Sequence, residues 1–117
     1  MTEATLMRRI MLYMSKRCIL FRNQSGFYVQ DGRPIRYGLG NPGGSDLIGW
    51  TPVKITPDMV GKTYAIFTAL EVKTDKGRPT KEQVAFIEAV KRAGGIAEIV
   101  RSEDDAEKTV ALFSTQG

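Results

Sequence analysis

Leu70-Glu71-Val72-Lys73-Thr74 closes an apolar, strand-like run (Ala65, Ile66, Phe67, Ala69, Leu70) with a carboxylate and an ammonium two positions apart. In a strand, side chains i and i+2 share a face, so Glu71 and Lys73 project together while Val72 points the other way. Two charges at the margin of a buried strand are costly unless they are paired, hydrated or bound to a metal. Thr63 to Lys73 is accordingly read as the most apolar strand and the centre of a sheet. A plain same-face ion pair at a solvated strand end fits the triplet as well, so the surrounding sequence has to decide.

Downstream, the polar loop Thr74-Asp75-Lys76-Gly77-Arg78-Pro79 leads to Thr80-Lys81-Glu82-Gln83, which opens a helix. That helix runs to about Ala93 on a stripe of Val84, Ile87 and Val90 and is stopped by Gly94-Gly95. Ile96 to Val100 returns as a strand, and strand, helix, strand in this order predicts a right-handed crossover with parallel pairing. Ser102-Glu103-Asp104-Asp105 caps a last helix reaching about Phe113.

Upstream, Thr51 to Gly61 holds two prolines and reads as a connection. Before it, the turn-rich Gly40-Asn41-Pro42-Gly43-Gly44-Ser45 delivers Asp46 into a strand over Asp46 to Trp50. Cys18 to Phe21 and Phe27 to Val29 read as a hairpin about Asn23-Gln24-Ser25-Gly26. Residues 2 to 16 carry Met7, Ile10, Met11 and Met14 at helical spacing behind the N-cap Thr2. Glu3 falls on that same stripe, where an acid in the first turn also suits the helix dipole. The sum is an α/β fold, one domain over 1–117, with a mixed central sheet flanked by helices in the order α-β-β-β-β-α-β-α.

Composition narrows the chemistry. At 117 residues one core is expected. Histidine is absent and Cys18 stands alone, which excludes Ser-His-Asp and Cys-His catalysis, a zinc site of histidine or several cysteines, and a disulfide framework. Oxygen ligands remain, which favour magnesium, manganese or calcium. No continuous apolar stretch marks a signal peptide or membrane span, so a soluble, intracellular, cytoplasmic protein without a membrane partner is expected. The net charge of +4 suits a polyanionic partner without requiring one.

Two acids and a lysine meet a definite need in phosphodiester hydrolysis. Asp46 and Glu71 can hold a divalent cation, to which the Val72 backbone carbonyl can add a ligand. Lys73 can orient an attacking water or offset charge developing on the phosphate. Gln83 can reach the same water or the lysine. Singly, each has a simpler reading: Asp46 stabilises a turn, and Gln83 is the third helical position of a capping box headed by Thr80.

The ordered set resembles the VRR-NUC (virus-type replication-repair nuclease) domains of the PD-(D/E)xK nuclease superfamily. The matching stretches are Asn41-Pro42-Gly43-Gly44-Ser45-Asp46, Ala69-Leu70-Glu71-Val72-Lys73, and Gln83 with Phe86-Ile87-Glu88-Ala89-Val90-Lys91-Arg92-Ala93-Gly94-Gly95. The resemblance implies a restriction-endonuclease-like fold, Asp46 and Glu71 as metal-binding acids, Lys73 as the catalytic lysine and Gln83 as the motif glutamine. Glu3 then matches the acid such domains often carry on their first helix, as a further metal ligand. It also implies magnesium or manganese as cofactor and branched DNA as substrate. By analogy with Holliday-junction resolvases it implies a homodimer, since two cuts need two sites. Lys76, Arg78 and Arg101 are the basic side chains expected to hold DNA, with Arg8, Arg9, Lys16 and Arg17 as a second basic region. Tyr37 and Trp50 suit stacking on a base or packing in a core or dimer interface, and are read as packing residues. Two rivals remain at this point: a non-catalytic DNA-binding accessory protein of replication or repair, and a small dimerisation module with a Glu71–Lys73 salt bridge.

Overall fold

The computed structural model describes residues 1–111, and the predicted end of the last helix at Phe113 lies outside them. The described residues are mixed α/β, with three α-helices and small sheets. It divides into two compact units, Met1–Val53 and Lys54–Gly117.

In the first unit, α1 (Glu3–Met14) begins at Thr2, whose Oγ1 accepts from the Thr5 N–H at 3.1 Å. β1 (Ile19–Arg22) pairs antiparallel with β4 (Leu47–Trp50), and the Phe21 and Trp50 rings meet at 5.5 Å between centroids. β2 (Gly26–Gln30) pairs antiparallel with β3 (Arg33–Tyr37). The expected hairpin of Cys18–Phe21 with Phe27–Val29 is therefore corrected: the tight turn is Asp31-Gly32, both at positive φ (54° and 73°). A two-residue Asp-Gly turn matches the twist of the strands it joins, which Asn23 to Gly26 does not. β3 escaped the sequence reading because Pro34 and two arginines break its apolar pattern.

In the second unit, a short 3-10 turn, η1 (Pro57–Met59), precedes β5 (Thr68–Val72). Thr56 Oγ1 donates to Asp58 there, and this bond holds the Asp58 carboxyl below its ordinary range. α2 (Lys81–Arg92) and β6 (Ile96–Val100) follow, and β5 and β6 are parallel from Thr68↔Ile96 to Val72↔Val100, as the crossover predicts. α2 ends as expected at Gly94, with φ 95°. The Gly94 N–H donates to Lys91 O and the Gly95 N–H to Val90 O, which satisfies the last helical carbonyls. α3 (Glu103–Ala111) starts on Ser102, whose Oγ accepts from the Asp105 N–H. The core of this unit is Ile87 and Val90 of α2 against Ile96, Ala97 and Val100 of β6, with Val90 only 1% exposed.

Two further expectations are revised. The run over 63–73 contributes a five-residue strand, not an eleven-residue one, and β5 alternates half-buried with exposed residues instead of being sealed on both faces. The described strands form three two-stranded sheets, and β3 adds one strand to the expected order before α2. Among the described residues, no helix is long and apolar enough to cross a membrane.

Candidate active site

β5 places Glu71 and Lys73 on one face, as the alternation requires, and both are half-buried. Lys73 Nζ stands 3.4 Å from Glu71 Oε2, with the two side chains 20% and 31% exposed. Gln83, in the first turn of α2, donates from Nε2 to the same Glu71 Oε2 at 3.1 Å. Both of these contacts fall on Oε2 of the carboxylate. A cleft of about 350 Å³ opens here, lined among others by Ala69, Glu71, Gln83 and Phe86. Glu82, absent from the sequence-derived set, lines it too.

Gln83 contacts Glu71 and caps its own helix at once. Its Oε1 accepts from the Thr80 N–H at 2.9 Å while its own N–H donates to Thr80 Oγ1 at 3.1 Å, a reciprocal capping box. With Oε1 engaged by a backbone donor, Nε2 is left to face the carboxylate, so the cap fixes which way the amide points. Thr80 thus governs the site through Gln83. Thr80→Ala is expected to destabilise the protein by about 1 kcal/mol in urea unfolding and, should the cleft prove a nuclease site, to weaken cleavage, whereas Thr80→Ser retains both. Equal activity in the two variants would break the link between cap and site.

Val72 turns its side chain to the opposite face. The Lys73 N–H donates to Val100 O at 3.0 Å and Phe67 O accepts from the Ile96 N–H at 2.9 Å, so the odd-numbered residues of this stretch bond to β6. The Val72 carbonyl therefore points away from β6, toward the other strand edge. Beyond it, Arg101 Nη1 donates to the carbonyls of Thr74 (2.6 Å), Asp75 (3.3 Å) and Gly77 (2.9 Å). Through this nitrogen, the guanidinium expected on DNA ties down the loop that carries Lys76 and Arg78, both exposed.

Asp46 and Glu3 lie in the first unit, both exposed, with Glu3 in the first turn of α1. Asp46 sits immediately before β4, at the end of a loop pinned by two asparagines. Asn23 donates from Nδ2 to Leu39 O (2.8 Å) and Ser45 O (3.0 Å), accepts from the Leu39 N–H (2.9 Å), and its N–H donates to Asp46 O (2.8 Å). Asn41, which precedes Pro42 across a cis peptide, donates to Gly26 O and Tyr37 O, each at 2.7 Å. Gly44 is required, because a Cβ there would collide with the Leu39 carbonyl. Sequence reading took Asn23 for a turn residue. Nothing in its local pattern reveals the partners 16 and 22 positions away.

Among the described residues, no group of three or more His, Cys, Asp or Glu side chains is gathered as for a metal. The Glu71 end of β5 still suits a hard cation. Its donors are a carboxylate oxygen and a strand-edge carbonyl, and magnesium, which keeps several waters, needs only one or two protein carboxylates.

The family model of the VRR-NUC domain matches residues 35–104, more than half of the chain. The protein belongs to the VRR-NUC family, and so to a family of nucleases. No curated protein and no solved structure matches the chain.

Proposed function

We propose that this protein is a divalent-metal-dependent endodeoxyribonuclease that hydrolyses phosphodiester bonds in branched DNA, acting as a homodimer in the manner of Holliday-junction resolvases. The reading takes residues 1–117 as one restriction-endonuclease-like domain. The observation that carries it is the Glu71–Lys73–Gln83 cluster at the end of β5 in a chain of this nuclease family.

Asp46, Glu71 and the Val72 carbonyl would hold magnesium or manganese, with Glu3 as a further acid. The ion supplies Lewis acidity at the scissile phosphate. The chain's own groups do the rest. Gln83 holds Oε2 of Glu71, which leaves Oε1 for the ion. Lys73, 3.4 Å from Oε2, brings a positive charge to the position where negative charge develops on the phosphate oxygens. Lys76 and Arg78 hold the DNA backbone beside the cleft, where the positive end of α2 also favours an anion.

A panel of single-stranded, duplex, flap and four-way DNA, each with magnesium, manganese or EDTA, tests the reading. Cutting of branched substrates only with metal is the expected result. Salt-sensitive binding without turnover under every condition would make the protein a non-catalytic accessory factor.

A further inference from the structure

The Met1–Val53 unit holds seven arginines and lysines against three acids, a net +4, while Lys54–Gly117 holds ten of each. All of the net positive charge is therefore on the first unit. Within it, the hairpin β2–β3 presents large aromatic side chains to solvent. Its register puts Gly26↔Tyr37, Tyr28↔Ile35 and Gln30↔Arg33 on one face. The Tyr28 and Tyr37 rings lie 6.5 Å apart, tilted by 33°, and are 50% and 49% exposed. The Tyr37 ring lies over Gly26, where a Cβ would come within 2.5 Å of its hydroxyl oxygen. The glycine thus supplies the space that lets the ring lie down beside Tyr28. Arg33, exposed, extends the same face toward the turn.

We propose that this tyrosine face, Tyr28, Tyr37 and Arg33, is a platform on which unpaired bases of the DNA stack. The proposal rests on the DNA reading above. Every base offers a π-face, so two exposed aromatic rings on a face that also carries Arg33 suit an unpaired strand whatever its sequence. A second copy of this chain fits less well, because pairing two such faces would bring the charged units together. Gly26 to Pro34 also precede the stretch matched by the family model, so β2 and the turn are outside what that match covers. A stacking surface at this place would select DNA with unpaired bases over continuous duplex.

The test is fluorescence-anisotropy binding of the full-length protein in EDTA, so that nothing is cut, to a fully paired duplex and to a forked DNA of equal length. Tyr37→Ala and Gly26→Ala are expected to weaken fork binding by about tenfold and to change duplex binding by less than about twofold. Tyr37→Phe keeps the ring and binds as the wild type does. Gly26→Ala is the sharper variant, since it displaces the ring without deleting any side chain and its backbone is not in the left-handed region. Arg33→Ala should weaken both DNAs and lower the salt slope by about one. Wild-type fork binding by Tyr37→Ala and Gly26→Ala overturns the platform, as does an equal loss on fork and duplex. A change in sedimentation in place of DNA affinity overturns it too and makes the hairpin a copy-to-copy interface. A protein that grips forks through Tyr37 yet cuts nothing with either metal keeps the platform and ends the nuclease reading; normal cutting with unaltered fork binding in the variants does the reverse.

Discussion

On the nuclease reading, Lys73→Ala is expected to lower metal-dependent cleavage of branched DNA by about 10² to 10³-fold, the magnitude typical of losing one group that faces developing charge, while leaving the fold in place. The two halves of that result have separate causes. Lys73 is held by a part-exposed ion pair to Glu71, a class of contact worth about 1 kcal/mol or less, so its loss leaves urea unfolding nearly unchanged. Its ammonium is nevertheless fixed on the strand face where the glutamine-held carboxylate lies, so on the nuclease reading catalysis loses a charge placed beside that carboxylate. Single-turnover rates at saturating metal isolate this effect from binding. A variant that cuts at the wild-type rate would leave Lys73 as a simple partner of Glu71, the arrangement that suits a dimerisation module.

The legibility of this chain follows the range of the interactions involved. α2 was readable from both ends because its signals are local: Thr80 and Gln83 cap it within three residues, and Gly94 ends it by a backbone conformation. The parallel pairing of β5 with β6 followed from the strand-helix-strand order. Pairing in the first unit was misjudged because it depends on distant partners. β1 bonds to β4 from Ile19↔Trp50 onward, and no feature of Cys18 to Phe21 says so. The Asp31-Gly32 turn was a local signal, but Pro34 next to it argued against a strand. Pro34 stands opposite Val29, a non-hydrogen-bonded pair next to the Gln30↔Arg33 pair that closes the turn, so its missing N–H costs the hairpin no ladder bond.

The site shows the same division. The Glu71–Lys73 spacing fixed their common face, and the first-turn position of Gln83 put it within reach. That Gln83 would serve the helix cap and the carboxylate together was not visible, because it depends on where α2 begins relative to β5. Arg101 illustrates the limit of reading charge from sequence. A guanidinium that meets three carbonyls of the 74–77 loop organises the neighbours of Lys76 and Arg78, and its formal charge alone suggests only a phosphate partner.

Glu71→Gln carries the second large effect, because it changes charge while keeping shape. The amide can still accept from Gln83 Nε2, so the cleft between β5 and α2 retains its form and the protein should unfold at nearly the wild-type urea concentration. What disappears is the negative charge that anchors Lys73 and that, on the nuclease reading, would draw a hard cation to Oε1. Manganese titration by calorimetry should then show affinity reduced by at least about tenfold, the consequence of about 1.4 kcal/mol, with cleavage reduced further because Lys73 loses its anchor as well. Asp46→Asn belongs in the same experiment. If Asp46 and Glu71 hold one ion, either amide gives the same metal defect and the double variant is little worse than each single one, since groups that act as a unit are not additive. Independent, additive losses would mean that the two acids serve different ions. Unchanged manganese affinity in Glu71→Gln would remove the metal from β5 altogether.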